Sequence, residues 1–402
     1  MTTELKRRKE AVELYYYQQV SKADICRQLN CSRPWLDRWL KRYDPDHVKA
    51  SLSDRSKAPK QPHSPWSEAI RQQVLAMRRH REQQPYELIG AEAIHHELAA
   101  LESTEVPPVR TIHSWLVEAG LVDGPEPAST TESQPIPLPE AEAVNEVHYL
   151  DLKGPLYLQG SNQKHYLVVL RDGHSRRCAI DVLASRKAQG IVDFLVATWR
   201  WLGLPRYLQL DNALEFRGSN RYPRSFGQVV RVALDLQIEP VFIPTGEPWR
   251  NGLIEWLNGF LDERLLAVEC ADRAALRQEA QTCQRVCNEH HRLSVLEGLT
   301  PTEVAAQASL TLLPATYQRH QQHPLPQDQG FVSFVRLIRK SGRITLGAGD
   351  RFMVDPNLAY SYVLARVDLA QQQVVISQAG RSIQTYDYSP ETVGAWAADD
   401  QD

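Results

Sequence analysis

Residues 243–260 read IPTGEPWRNGLIEWLNGF and carry two glutamates eight positions apart, Glu247 and Glu255. The stretch starts at the end of an apolar run, IEPVFIP. It then crosses a Pro/Gly turn and enters a run with helical spacing. Strand, turn and helix in that order build α/β layers. Glu247 directly precedes Pro248, which biases it toward extended backbone. Glu255 lies inside the helix. Asn251, Glu255, Asn258 and Asp262 fall at i, i+4, i+7 and i+11 and share one polar face. Leu253, Leu257, Phe260 and Leu261 are free to pack on a sheet. A metal ligand needs a backbone that fixes it to a fraction of an ångström. The helix supplies this and the turn does not, so Glu255 is the candidate ligand.

Upstream, EVHYLDLKG, KHYLVVLRDG and RRCAIDVLA are three strand-like runs from residue 146 onward. The helix KAQGIVDFLVATWRWLG, the strand PRYLQLDNALEF and the helix GQVVRVALDLQ come next. The order β-β-β-α-β-α-β-α predicts a mixed α/β sheet over 144–310. Asp151 lies in its first strand and Asp211 at the C-terminal end of its fourth. Such strand ends are where open sheets leave a ligand crevice. Downstream, six short strands punctuated by Gly, Asp-Pro and Asn turns predict a small β-barrel over 326–390.

The N-terminal third is helical. Residues 1–45 read as a helix-turn-helix, with Ser21 and Ser32 as N-caps and an apolar stripe of Leu29, Trp35, Leu36, Trp39 and Leu40. Its last helix would present Arg33, Arg38 and Lys41 to DNA, with Asp37 between them. Residues 46–65 read as a basic Pro/Ser linker, and 66–122 as a second helix-turn-helix with Arg110, Thr111 and Ser114 early in its recognition-like helix. Residues 123–143 read as a Pro-rich acidic linker. The net charge of −3 conceals an asymmetry: residues 1–81 hold 18 Lys/Arg against 9 Asp/Glu, and the remainder carries −12. A polyanion docking at one end fits that division.

No run of 18 apolar residues exists, so no membrane span is expected. The N-terminus has no signal-peptide apolar region, and six scattered Cys do not make a disulfide scaffold. A cytoplasmic, reducing home is the expectation. Cys283, Cys287, His290 and His291 lie within one helical run, but no fourth ligand at finger-like spacing accompanies them. A zinc site is therefore not expected there, and Cys26 and Cys31 read as packing residues of the first helical unit.

The pieces LDLKG, VLRDGHSRR, LDNALEF, PTGEPWRNGLIEWLNGF and CNEHHRLSVLEGLTPTEV, in order over about residues 145–305, resemble the DDE transposases and retroviral-type integrases of the RNase H-like superfamily, above all insertion-sequence transposases. The tandem helical units and β-rich tail resemble the usual layout of that family. One departure concerns spacing. Thirty-five residues separate Asp211 from Glu247 and 43 separate it from Glu255; the shorter gap is common in the family. The family places its Glu after Asn-Gly on the helix, which NGLIE supplies at Glu255, and an insertion near RGSNRYPRSF would account for the difference.

The resemblance implies a catalytic trio of Asp151, Asp211 and Glu255 holding two Mg²⁺ ions, for which Mn²⁺ can substitute, with Asp151 bridging the pair. It implies cleavage at terminal inverted repeats of a transposon, then strand transfer into target DNA. It further implies double-stranded DNA as partner, a homo-oligomer on that DNA, and a prokaryotic, nucleoid-associated setting. Arg250, Asn258 and Asn212 are candidates for DNA contact near the site. Two other readings compete. One is a domesticated, sequence-specific DNA-binding regulator with an unused core. The other is a nuclease that only hydrolyses.

Overall fold

The structure, a computed structural model, describes residues 3–54, 65–101, 106–122, 135–219, 224–318, 324–326, 328–347 and 350–390. The chain divides into two compact units, Met1–Pro65 and Trp66–Asp402. Among the described residues no helix is long and apolar enough to cross a membrane.

The first unit contains α1 (Thr3–Val12), α2 (Lys22–Gln28), α3 (Arg33–Arg42) and α4 (Val48–Leu52). Ser21 and Ser32 cap α2 and α3 through their side-chain oxygens, as their positions predict. Ala11, Val12, Ile25, Leu36, Trp39 and Leu40 form the core. α4 corrects the expectation of a plain linker from residue 46. Leu52, 1% exposed, completes the core. Arg8 donates to the Leu52 carbonyl at 3.0 Å and stacks on Trp39, while Arg42 donates to the Ser53 carbonyl at 2.8 Å. Linker residues 55–64 lie outside the described residues.

The second unit opens with α5 (Glu68–Glu82), α6 (Ala91–Ala100) and α7 (Val109–Glu118), packed around Ile70, Val74, Ile94, Leu98, Ile112 and Leu116. Tyr86 anchors these helices to the C-terminal part of the same unit. Its ring is 1% exposed and its hydroxyl donates to Glu279 at 2.5 Å. His291 Nε2 donates to the Tyr86 carbonyl at 2.7 Å, and His290 pairs with Glu87 at 2.9 Å. Residues 123–134 of the acidic linker lie outside the described residues, and the remainder packs onto the sheet through Ala141.

The core comprises β1 (Val147–Tyr157), β2 (Lys164–Asp172), β3 (Cys178–Leu183), α8 (Ala188–Leu202), β4 (Tyr207–Leu210), α9 (Leu214–Arg217), α10 (Gln228–Asp235), β5 (Glu239–Phe242), α11 (Gly252–Arg264), α12 (Arg273–Glu289) and α13 (Pro301–Ala305). This is the predicted order with one addition, the short α9, which takes the end of the run expected as strand and loop. Alternation along the strands divides two apolar layers. Leu150, Val168, Leu170, Leu208 and Leu210 face α8 and α10. Val147, Tyr149, Leu167, Val169 and Ile180 face α11 and α12.

The C-terminal segment departs from expectation. All six strands exist: β6 (Phe331–Leu337), β7 (Arg343–Thr345), β8 (Arg351–Met353), β9 (Tyr362–Asp368), β10 (Gln373–Gln378) and β11 (Arg381–Asp387). They do not close into a barrel. β6 pairs parallel with β5, and Phe242 stacks on Phe334 with centroids 5.0 Å apart. The result is one nine-stranded sheet, β11-β10-β9-β6-β5-β4-β1-β2-β3, with β7 and β8 as a separate pair. An unpaired β5 edge would expose its backbone donors and acceptors, and β6 covers it.

Candidate active site

β1 and β4 run parallel, with Val147 opposite Tyr207, His148 opposite Leu208 and Tyr149 opposite Gln209. Continued by two residues, this register sets Asp151 level with Asp211. Side-chain parity puts both on the face covered by α11. Asp211 comes directly after the last residue of β4, and its Oδ1 accepts the Ala213 N–H at 2.8 Å. Burial raises the Asp211 carboxyl above its ordinary range, and the charges of Asp151 and Glu215 add to this while the Ala213 bond opposes it.

α11 presents its polar face to the same strands. Gln209 Nε2 donates to Asn251 Oδ1 at 3.2 Å. Asn258 Nδ2 donates to Asp151 Oδ2 at 2.5 Å. Lys153 pairs with Asp262. Three of the four polar-face residues therefore touch β1 or β4. Glu255 lies between Asn251 and Asn258 on that face, and its side chain is exposed. It has no hydrogen-bond partner among the described residues. No group of three or more His, Cys, Asp or Glu among the described residues is gathered closely enough to hold a metal ion. The structure thus brings the two aspartates together and places Glu255 on the facing helix surface without closing the trio.

The donor chemistry fits a hard divalent cation. Neither Asp151 nor Asp211 has a Lys or Arg partner among the described residues. The carbonyl oxygens Asn258 Oδ1 and Gln209 Oε1 are buried without a hydrogen-bond partner. Carboxylate and amide oxygens suit Mg²⁺ or Mn²⁺.

Glu247 is committed elsewhere. Tyr362 on β9 donates its hydroxyl to Glu247 at 2.7 Å, and Arg250 Nε donates to the same carboxylate at 3.1 Å. Arg250, a candidate DNA contact, belongs to this internal clasp. The segment RGSNRYPRSF, expected to hold an insertion, is described only at its ends. The chain leaves at Gly218 and returns at Gly227, whose N–H donates to the Arg217 carbonyl at 2.8 Å. Gly218 has φ +105°, and a Cβ there would come within 2.5 Å of the Gly227 nitrogen. Gly218 and Gly227 are therefore held against each other; residues 220–223 lie outside the described residues.

Two residues that sequence reasoning missed hold the site's loops. Arg336 on β6, 4% exposed, donates from Nη2 to Asn212 Oδ1 at 2.7 Å and from Nη1 to the Ile243 carbonyl at 3.1 Å. Asn212 Nδ2 donates to that same carbonyl at 2.7 Å. Tyr362 is the other. The signal for Arg336 was a charged residue on the Val332–Phe334 side of an alternating strand.

Of the candidate DNA contacts, Arg33, Arg38 and Lys41 lie exposed on α3, where Asp37 pairs with both Lys22 and Arg33. Arg110 and Ser114 are exposed on α7, and Thr111 is half-buried. Ser114 Oγ donates to the Arg110 carbonyl at 3.0 Å. Cys283 and Cys287 are buried; the hydrogen bond with Cys178 pulls the Cys287 thiol down, but the bond with Cys283 and burial outweigh it and raise it well above the usual thiol range.

Residues 2–47 match the homeodomain-like domain family. No curated protein sequence matches the chain. Among solved structures, the HTLV-2 integrase catalytic core domain in complex with magnesium, in its dimeric form, is 16% identical. That match covers 41% of this chain and 99% of that one, with a TM-score of 0.32. The trimeric form is 16% identical over 40% and 96%, with a TM-score of 0.31. The catalytic core domain of BIV integrase is 15% identical over 40% and 95%, with a TM-score of 0.32. At these TM-scores the likeness assigns no role to any residue of this chain.

Proposed function

We propose that the protein is a DDE-type DNA transposase that cuts and joins DNA strands at Asp151, Asp211 and Glu255. The observation that carries this reading is the pair Asp151 and Asp211, level on adjacent parallel strands, without a cationic partner among the described residues. The helix face above them carries Glu255. The ordered motif resemblance and the cationic α3 of the homeodomain-like segment support DNA as the substrate.

Asp151, Asp211 and Glu255 would hold divalent magnesium or manganese, with Glu255 moving inward when the cation neutralises the two aspartates. Bound there, the metal supplies Lewis-acid activation of a phosphodiester and a nucleophile of lowered pKa. Asn258 orients the Asp151 carboxylate through its 2.5 Å hydrogen bond, and the Ala213 N–H orients Asp211. α3 would bind terminal inverted repeats through Arg33, Arg38 and Lys41, and α7 would add contacts through Arg110, Thr111 and Ser114. The family resemblance implies an assembly of two or more copies on DNA.

The test is Asp211→Asn assayed on DNA carrying the element's terminal repeats. Cleavage and strand transfer should both disappear while DNA binding persists. Full strand transfer by this variant overturns the assignment. The open position of Glu255 favours a second reading, a DNA-binding regulator with an unused core. Binding that survives EDTA, with no cleavage under Mn²⁺, would select it.

A further inference from the structure

The site acids stand where a strand ends and where a helix begins. Asp211 opens the loop between β4 and α9, and Glu255 sits in the first turn of α11, just after the 243–251 turn. Both segments are gripped by the C-terminal strands, from opposite faces of the sheet. On β6, Val332 and Phe334 face α8 and α10, and Arg336 shares their parity. On β9, Val363 and Ala365 face that way too, so Tyr362 points to the α11 face.

We propose that Arg336 and Tyr362 are positioning residues for metal binding, Arg336 by fixing the Asp211–Asn212 loop and Tyr362 by fixing the turn that launches α11 toward Glu255. This rests on the function proposed above and extends it to the C-terminal segment, which becomes part of the catalytic unit.

Three observations support it. First, the Arg336 guanidinium is buried and satisfied by neutral oxygens: the Thr345 carbonyl at 2.8 Å, the Val335 carbonyl at 2.8 Å, the Ile243 carbonyl at 3.1 Å and Asn212 Oδ1 at 2.7 Å. No carboxylate offsets its charge in these contacts, and burial brings its pKa down to about 9. A buried cation held only by dipoles is a costly way to join two strands, which an apolar side chain would do better. Second, its fork joins the two loops to each other. Asn212 and Ile243 are both its acceptors and are bonded to one another at 2.7 Å. The end of β4 and the end of β5 are therefore fixed as one piece. Third, Tyr362 reaches both Glu247 oxygens, at 2.7 and 2.8 Å, and Arg250 completes the clasp at 3.1 Å. That clasp sits immediately before α11, where a tilt would carry Glu255 away from the aspartates.

The full chain without DNA is titrated with Mn²⁺ by electron paramagnetic resonance, as wild type, Arg336→Met, Tyr362→Phe and Asp211→Asn. Thermal unfolding in EDTA is monitored in parallel. Wild type should bind Mn²⁺ in an Asp211-dependent manner. Arg336→Met and Tyr362→Phe should each weaken that binding about tenfold, the size expected when a ligand's supporting partner is lost. Their unfolding midpoints should fall by a few degrees at most, leaving both variants folded at the titration temperature. If Arg336→Met does not fold, Tyr362→Phe, which removes a single hydroxyl, carries the test. Wild-type Mn²⁺ affinity in folded variants overturns the positioning role and leaves the proposed function standing. Absence of any Asp211-dependent Mn²⁺ binding in wild type overturns both.

Discussion

Asp151 and Asp211 stand at the same level of two adjacent parallel strands, and neither has a basic partner among the described residues. Neighbouring parallel strands lie about 4.8 Å apart, so two carboxylates at one level repel when both ionise. Burial, more than the Asp151 charge, makes the ionised Asp211 carboxylate costly, and a bound cation would offset that cost.

Replacing Asp211 with Asn should therefore stabilise the metal-free protein. The folded-state pKa of Asp211 is raised, so the folded chain holds this proton more tightly than the unfolded chain does. Its contribution is most favourable below the ordinary carboxylate range and is lost as pH rises through the raised value. Asn keeps an oxygen for the Ala213 N–H and carries no charge. At neutral pH in EDTA, Asp211→Asn should gain about 1 kcal/mol by chemical denaturation. The gain should shrink at acid pH, and Mn²⁺ should stabilise wild type alone. A variant less stable than wild type in EDTA at neutral pH would contradict this account.

The two glutamates of the 243–260 stretch should separate by phenotype. Glu255→Gln removes an exposed carboxylate, so the unfolding free energy should change by under about 0.5 kcal/mol while strand transfer is lost. Glu247→Gln weakens the clasp with Tyr362 and Arg250, and should cost about 1–2 kcal/mol. Paired activity and denaturation measurements decide the matter. The reverse pattern, with Glu255 structural and Glu247 indispensable to joining, would move the active site to the turn.

Arg38 and Lys41 are exposed on α3, with no partner among the described residues. If each neutralises one DNA phosphate, Arg38→Ala and Lys41→Ala should each flatten the log–log dependence of affinity on salt by about 0.9. Fluorescence anisotropy across a salt series reads this slope. A slope unchanged in the double variant would place the DNA on another surface.

The α/β layer that carries Asp151 and Asp211 was legible because local periodicity encodes it. Alternation at 147–152 and 164–171 separates two apolar faces, and the i, i+4, i+7 spacing alone put Asn251, Glu255 and Asn258 on one side of α11. The sheet's far half was not legible in the same way. Alternation in FVSFVRLI announces a strand but does not name its neighbour. The pairing of Val241 with Ser333 joins residues far apart in the chain, so a barrel and a sheet extension predict the same local pattern. α4 was missed because one apolar residue, Leu52, carries its burial within a Pro- and Ser-rich run. Arg336 and Tyr362 could not be placed from sequence, since their partners depend on that same long-range pairing.

The continuity between β5 and β6 also sets where this chain can be cut. A fragment ended near residue 310, on the supposition that the last strands are an appended module, would strip the outer flank of β5 and leave Glu239–Phe242 open to pairing with another molecule. Such a fragment would be prone to self-associate through that seam. Its insolubility would then reflect a severed hydrogen-bond ladder and not a defect in the acids themselves. The smallest piece suited to isolated biochemistry should begin near Trp66 and retain the chain through β11.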